Sequence, residues 1–253
     1  MDSIHPSIRE SFSAGLSMIP CYSFWVNKSA LQVGLPLPTF TWKDSLCRGL
    51  KEGFPAITII VGCQLYIQRE IEKRLPINRK VSPFLFTGAS SFLTGVVTSP
   101  ILAYYNLLTM KKPSDTFSQI AKLALKRLSW AQVGALAARE TTCLYSMRIL
   151  GPLESLFGDS LTVKCSSAFI SGCVGSLSGH PLDTAFTLWQ KQFSITSLTN
   201  VNKNDTALQK ATKYSRVLMR GGYQRALGMG ISVCIYDLAN WALGVKPESG
   251  SFN

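Results

Sequence analysis

The feature that most constrains the fold is a stretch of thirty residues, from 81 to 110, without a single Asp, Glu, Lys or Arg. An apolar run of this length is sufficient to cross a lipid bilayer as a helix. Shorter charge-free runs occupy 11–27, 53–68 and 165–182. All four runs hold Gly, Ser, Thr or Pro beside large apolar residues, and small residues suit helices that pack closely in lipid. The pattern predicts several packed membrane spans rather than a single anchor.

Two further apolar stretches, 128–151 and 226–245, contain isolated charges such as Arg139, Glu140 and Asp237. Ionisable groups within a span should face a wet interior lined by protein. Only 16% of the residues are charged, whereas about a quarter is usual for soluble domains. Any single run would also suit the core of a soluble helical bundle, but six in one chain of 253 residues favour a membrane protein.

Three prolines recur at nearly constant spacing: Pro20, Pro100 and Pro181 lie 80 and 81 residues apart. Each is followed by a polar link and then by a second apolar run. A fixed period of this kind indicates structural repeats. We therefore predict an all-α membrane protein with six transmembrane helices in three tandem helix–link–helix repeats. The single domain covers 1–253, with repeats at approximately 8–80, 81–160 and 161–246.

The second and third links predict short amphipathic helices at the inner membrane surface. Each has four apolar residues on one helical face, and the second link also has a start signal in Pro113-Ser114-Asp115. The predicted faces are Phe117, Ala121, Ala124 and Leu128 in the second link, and Ala207, Ala211, Tyr214 and Leu218 in the third.

The net charge of +12 is distributed unevenly among the links. The links inside the repeats (28–51, 111–127 and 191–225) hold sixteen basic residues, whereas those between repeats (69–80 and 148–164) hold seven. Basic loops tend to stay on the inner side of a membrane. This predicts inner links and outer termini, and it explains the charge without nucleic acid, whose binders need a basic stripe.

Nothing in the sequence indicates enzyme chemistry. A Gly-rich phosphate loop, a GxSxG elbow and an HExxH motif are all missing. The seven cysteines have no CxxC spacing, and His5 and His180 are the only histidines. We expect no cofactor and no metal site. The first ten residues resemble neither a secretory signal nor an Arg-rich transit peptide.

Several segments resemble the mitochondrial carrier family. PLDTAFTLWQ (181–190) is similar to the family motif PLDxxKxxxQ, with Phe186 in place of the basic residue. RGGYQRALGMGISVCIYDL (220–238) resembles the last even-numbered helix of the family, and ARETTCLY (138–145) resembles its substrate-contact segment. The three-unit plan extends the resemblance over nearly the whole chain, although only the third unit matches at motif level.

The resemblance implies a monomeric, multi-pass carrier of the mitochondrial inner membrane that moves a small charged metabolite by alternating access. It implies substrate contacts, gate and kink residues, and cardiolipin contacts. Arg139 with Glu140 resembles carriers of amino acids, and Arg225 with the following glycine turn resembles carriers of nucleotides. Helix capping would explain Gly49 and Gly221, which resemble the family's cardiolipin contacts, equally well. The substrate set is Arg139, Glu140 and Arg225; the gate and kink set is Pro20, Pro100, Pro181, Asp183, Gln190, Tyr236 and Asp237; the lipid set is Arg48, Gly49, Arg220 and Gly221.

The sequence departs from the family at the inner gate. The acidic positions read Tyr22, Leu102 and Asp183, and the basic positions read Trp25, Tyr105 and Phe186. These departures predict that Asp183 and Asp237 have no ion-pair partners and that the three aromatic residues close the inner end. They leave open a carrier-fold protein without transport, acting as a membrane interaction protein. They would also suit a pathogen effector delivered to host mitochondria.

Overall fold

The computed structural model describes residues 6–78, 82–109, 115–150, 160–193, 198–199, 201–202 and 204–243, apart from the side chains of 6, 144 and 146–150. Within these residues the secondary structure is entirely helical, without a strand, so the all-α prediction is confirmed.

The helices follow an order of long, short and long that recurs three times among the described residues. In the third unit the first long helix is divided in two at Gly179. The helices are α1 (Pro6–Gln32), α2 (Trp42–Arg48), a π-helical segment (Gly49–Gly53), α3 (Phe54–Arg74), α4 (Pro83–Leu108), α5 (Phe117–Arg127), α6 (Trp130–Leu150), α7 (Leu161–Ser178), α8 (His180–Gln190), α9 (Ala207–Leu218) and α10 (Gly222–Ala242).

The long helices form a closed ring. Each packs against the next in the order α1, α3, α4, α6, α7 and α10, and α10 packs against α1. α8 continues from α7 and contacts α6, α1 and α4. We call the end of the ring at which α1, α4 and α8 lead into the short helices the link end, and the opposite end the terminal end.

α4 has its polar face inside and its apolar face outside. Its buried face carries small and hydroxylated residues, and the hydroxyls of Ser90, Thr94, Thr98 and Ser99 donate to carbonyl groups one turn earlier on the same helix. Its exposed face carries large apolar side chains, and Val97 is 55% exposed. This is the reverse of a helix on a soluble protein, which turns its apolar stripe to the core. The buried set includes Thr87, Ser90, Ser91, Thr94, Thr98 and Ser99, and the exposed set Phe84, Leu85, Phe92, Leu93 and Val97.

The three repeated prolines occupy different helical contexts. Pro20 and Pro100 lie inside α1 and α4, which continue through them. Pro181 lies in the first turn of α8, immediately after the break at Gly179. Proline has no N–H to donate and suits a first helical turn. The predicted kink in the third unit is therefore a break between two helices.

Both predicted link helices are present, and each begins with a capping box. Thr116 and Gln119 cap α5, and Thr206 and Gln209 cap α9. In each box the Thr hydroxyl accepts from the Gln backbone N–H while the Gln side chain accepts from the Thr N–H. Of the predicted start signal, Pro113 and Ser114 lie outside the described residues. Lys213 of α9 donates to Asp205, which precedes the helix, at 2.7 Å, and this hydrogen bond lowers the pKa of the Asp205 carboxyl.

The residues that the fold buries in these link helices coincide only partly with the predicted apolar faces. In α5 Phe117 is 55% exposed, while Ile120 and Ala124 are buried. In α9 the buried residue is Val217, and Ala207 and Ala211 are exposed. Neighbouring positions lie about 100° apart around a helix, so a small rotation changes the buried set. Packing against α4 and α8 sets that rotation, and apolar spacing alone does not.

Two stretches of the described chain, Trp42–Arg74 and Pro83–Leu108, are long and apolar enough to cross a membrane by length and composition. The first joins α2, the π-helical segment and α3. α6 and α10 carry Arg139, Glu140, Arg225 and Asp237, whose charges lower their hydropathy. These charged residues line the interior of the ring. The six predicted spans are thus supported for two helices and stay a prediction for the rest.

Candidate functional site

The ring encloses a central cavity of about 400 Å³. Its walls come from α1, α3, α4, α6, α8 and α10. Along α1 the lining residues run from Ala14 to Lys28, about 21 Å at 1.5 Å per residue. Most of the wall that α3 contributes is apolar, with Gln64 and Gln68 as its polar groups. The volume suits a small metabolite, because ligand pockets range from about 300 to 1,000 Å³.

The cavity ends at the link end in a compact layer of polar side chains from α1, α4 and α8. We call it the polar layer. All its members are buried, and their side chains bond to one another across the three helices. Hydrogen bonds that run between three helices hold these helices in one arrangement, because separating them leaves buried polar groups unpaired. It consists of Lys28, Ser29, Gln32, Asn106, Thr109, Asp183, Thr184, Thr187 and Gln190.

Asp183 is the centre of this arrangement. Its Oδ1 accepts from Arg139 Nη1 of α6 at 2.7 Å. Its Oδ2 accepts from Lys28 Nζ at 2.8 Å and Gln32 Nε2 at 2.9 Å, both of α1, and lies 3.0 Å from Arg225 Nη1 of α10. The carboxylate is 2% exposed. One acidic side chain thereby joins four helices.

The prediction that Asp183 has no ion-pair partner was therefore wrong, because three cations surround it. Two of them, Arg139 and Arg225, come from the even-numbered helices of the repeats, not from the motif positions that hold Trp25 and Tyr105. Nor is Asp237 without a partner. Cations from other helices therefore take the place of the missing motif charges, because a buried carboxylate is stable only when its negative charge is compensated.

All three predicted substrate contacts line the cavity. Arg139 and Glu140 are sequence neighbours whose side chains pair, with Arg139 Nε donating to Glu140 Oε1 at 3.0 Å. The Glu140 side chain is 20% exposed, compared with 2% for that of Asp183. Arg225 of α10 pairs with Asp183, the carboxylate that Arg139 also binds. The two arginines and Glu140 are thus brought together at the cavity floor.

Arg225 has unused hydrogen-bonding capacity. Its Nη1 lies near Asp183 Oδ2 but at an angle that makes no hydrogen bond, and its Nε has no partner either. The residue is 3% exposed. The indole Nε1 of Trp25, which also lines the cavity, is likewise buried without a hydrogen-bond partner. Buried donors usually find an acceptor, so these groups mark a place where an acceptor can bind.

Sequence reasoning missed Lys28, Gln32 and Asn106. It assigned 28–51 to a polar link, whereas α1 continues to Gln32 and carries Lys28 into the cavity floor. Lys28 is the first charge after a long charge-free run, which could have indicated a buried position. Asn106 lies inside the longest charge-free stretch and gave no comparable signal.

The three aromatic residues predicted to close the inner end lie around the polar layer. Phe186 is fully buried in a cluster with Leu102 and Leu107. The Tyr105 hydroxyl donates to Met18 Sδ at 3.7 Å. Trp25 packs on the cluster that contains Tyr22, and Lys28 Nζ lies 5.5 Å from the centre of its ring. The link end is therefore closed by apolar packing together with the ion pairs around Asp183.

The remaining gate residues lie at opposite ends of the cavity. Gln190 accepts from Asn106 Nδ2 and donates to the Ala103 carbonyl, each at 2.7 Å, which joins α8 to α4. Tyr236 and Asp237 line the cavity nearer the terminal end, both about three turns of α10 beyond Arg225. The two ends thus contain separate polar groups.

The glycines of the predicted lipid sites have packing roles. A Cβ at Gly49 would overlap the Ile19 carbonyl of α1. Gly221 has φ +78°, and a Cβ there would lie 2.9 Å from the Lys28 carbonyl. Close backbone approach and left-handed geometry both favour glycine. Arg48 is 41% exposed at its side chain and stacks on Phe40, so a lipid role for it stays a prediction.

Comparison with known proteins identifies no relative: no protein-family model matches the sequence, and no curated protein matches it. Among the described residues, no group of three or more His, Cys, Asp or Glu is placed to hold a metal ion. Function is therefore inferred from the geometry of the cavity.

Proposed function

We propose that this chain is a divergent member of the mitochondrial carrier family, with six membrane spans in three repeats, that moves a small charged metabolite across the mitochondrial inner membrane. The observation that carries the proposal is the central cavity, whose floor consists of charged residues of α6 and α10 paired with Asp183 of the closed polar layer. A central cavity among the helices of a ring, closed at one end, is one of the states that alternating access requires.

The surface of the ring supports a membrane location. Large apolar residues are exposed on α4 and also on other long helices, including Ile59, Ile170 and Trp241. Extensive exposed apolar surface is unusual for a monomeric soluble protein. Hydroxyl and charged groups instead face the interior, as expected for a helix bundle whose solvent outside is lipid and whose interior is wet.

In this structure the link end is closed. Transport would open it by separating α8 from α1 and α4, and would close the terminal end around the bound substrate. Binding can drive such a change only if the substrate contacts differ between the two states. The cations at the cavity floor satisfy this condition, because their present partner, Asp183, belongs to the closed layer.

Uptake into liposomes tests the proposal. Purified protein is reconstituted and offered a broad panel of labelled amino acids, nucleotides, carboxylates and phosphate. We expect uptake of at least one class by the wild type and its loss in Arg139→Ala and Arg225→Ala, while Arg216→Ala, on the exposed side of α9, transports normally.

The alternative function is a carrier-fold membrane protein that no longer transports. The internal pairing of Asp183 favours it, because each of the site cations already has an anionic partner within the fold. Equal and negligible uptake by wild type and variants over the whole panel would support it. Alkaline extraction of membranes tests the location itself, and recovery in the soluble fraction would contradict both functions.

A further inference from the structure

We propose that Asp183 is a built-in substitute for the substrate's anionic group, and that the cavity binds a small oxyanion, a carboxylate or a phosphate, in its place among the three cations. This inference rests on the proposed carrier function and names the substrate class of the same cavity. It also assigns Lys28 of α1 to the binding site, beside the arginines of α6 and α10.

The charge at the cavity floor favours an anion. Lys28, Arg139 and Arg225 supply three positive charges, and Asp183 and Glu140 supply two negative ones, which leaves one positive charge in excess. The three cationic side chains are 5%, 13% and 4% exposed. Uncompensated charge is costly at such burial. A bound anion would offset this excess, whereas a cation would increase it.

The unused donors favour a ligand that only accepts hydrogen bonds. Arg225 Nε and Nη1 and Trp25 Nε1 have no hydrogen-bond partner, although all three are buried and both residues line the cavity. The backbone of α10 approaches the same indole, since a Cβ at Gly228 would lie 3.9 Å from Trp25 Nε1. Carboxylate and phosphate oxygens accept several such bonds at once.

Exchange of Asp183 for a ligand would link binding to opening. Asp183 holds α8 to α1 through Lys28 and Gln32, and Thr184 accepts a second bond from Gln32. A ligand that takes the cations leaves Asp183 only its bond from Gln32. The contact between α8 and α1 is weakened, while each cation keeps an anionic partner. The ligand therefore interacts differently with the closed and the opened link end, as a population shift requires.

The test measures binding to the purified full-length chain in detergent. Thermal unfolding is followed with succinate, inorganic phosphate or putrescine at equal ionic strength, because a ligand that binds the folded state stabilises it. We expect stabilisation by at least one of the two anions and none by the diamine. The anion that acts distinguishes a carboxylate site from a phosphate site. Stabilisation by putrescine alone, or by none of the three, would overturn the proposal.

Two variants test the substitution by Asp183 directly. Asp183→Asn should unfold at a lower temperature without ligand and should bind the active anion about tenfold more tightly, the scale of coupling within one ionic network. Lys28→Gln should bind it about tenfold more weakly for the same reason. Asp205→Asn is the matched control, because Asp205 pairs with Lys213 at the surface, outside the cavity. It should bind as the wild type does.

Unchanged affinity in Asp183→Asn would overturn the exchange. If that variant does not fold, Lys28→Gln decides, and unchanged anion affinity there would also overturn it. Failure of the carrier function can be distinguished from failure of this inference. Anion binding without uptake of any solute would contradict the carrier function and support the anion site. Uptake of a diamine without anion binding would support the carrier function and contradict the anion site.

Discussion

Asn106 of α4 donates its side-chain amide to the side-chain oxygen of Gln190 of α8, at 2.7 Å, across the link end of the ring. The Gln190 side chain also donates to the Ala103 carbonyl at 2.7 Å. The backbone carbonyl of Gln190 accepts from Arg127 Nη1 at 2.9 Å. A single residue thus connects the end of α8 to α4 and α5. Gln190 is 1% exposed, so no water can replace these bonds without rearrangement.

We expect Gln190→Ala to destabilise the closed link end. The change removes two buried hydrogen bonds and leaves the Asn106 amide unpaired, which costs about 2–3 kcal/mol in total. Thermal unfolding in detergent should show a lower midpoint, and liposomes should leak a small entrapped solute. The control is Gln192→Ala, at an exposed position two residues later, which should change stability by less than about 0.5 kcal/mol. A Gln190→Ala protein as stable and as tight as the wild type would contradict the role of this contact.

Phe186→Ala tests whether aromatic packing closes the link end. The Phe186 ring is fully buried between α4 and α8, and removing it should cost about 3–5 kcal/mol and leave a cavity. Leak from liposomes should rise. Phe92→Ala is the matched control, because Phe92 is 43% exposed on the outer face of α4. Equal leak from both variants would show that Phe186 does not contribute to closure.

Val97→Glu distinguishes a lipid-facing surface from a water-facing one. Val97 is 55% exposed; in water a surface substitution of this kind costs within about 0.5 kcal/mol, whereas an acidic residue at the centre of a membrane helix costs about 2.5–3.5 kcal/mol. We expect strongly reduced membrane insertion. Ala211→Glu, at an exposed position of α9, should insert normally. Normal insertion of both would indicate that this face of α4 does not meet lipid.

Arg48→Gln and Gly49→Ala separate lipid binding from packing at the first link. Gly49→Ala should lower thermal stability with or without cardiolipin, because the new methyl group overlaps the Ile19 carbonyl. Arg48→Gln should keep its stability in detergent but lose the additional stabilisation by cardiolipin, since a cation that binds lipid phosphate is removed. If cardiolipin stabilises Arg48→Gln as much as the wild type, Arg48 is not part of a lipid site.

Secondary structure was largely predictable because its signals are local. The charge-free stretch 81–110 contains α4 at Pro83–Leu108 almost completely. The two link helices were predicted from their apolar spacing, and the fold buries partly different residues of them. The end of α1 was placed too early, because a charge was taken as the end of a helix. Lys28 instead stays helical and buried, where Asp183 compensates it.

The site was predictable in part. The resemblance placed Arg139, Glu140 and Arg225 at one site, and all three line the cavity. It did not reveal that the two arginines are paired with Asp183. A motif specifies residue types at positions along the chain, and the motif's basic positions hold aromatic residues in this sequence. The cations that pair with Asp183 lie outside those positions, on other helices, so the motif did not predict them.

The sequence alone determined the helical class and the position of most helices, because charge-free length and capping residues act within a few turns of the chain. The tertiary structure decided what Asp183 binds. Its partners Lys28 and Arg139 are 155 and 44 residues away along the chain, and no local pattern specifies such a pair. Only the closing of the ring brings these charges together, and the burial of Asp183 then requires that its charge be compensated.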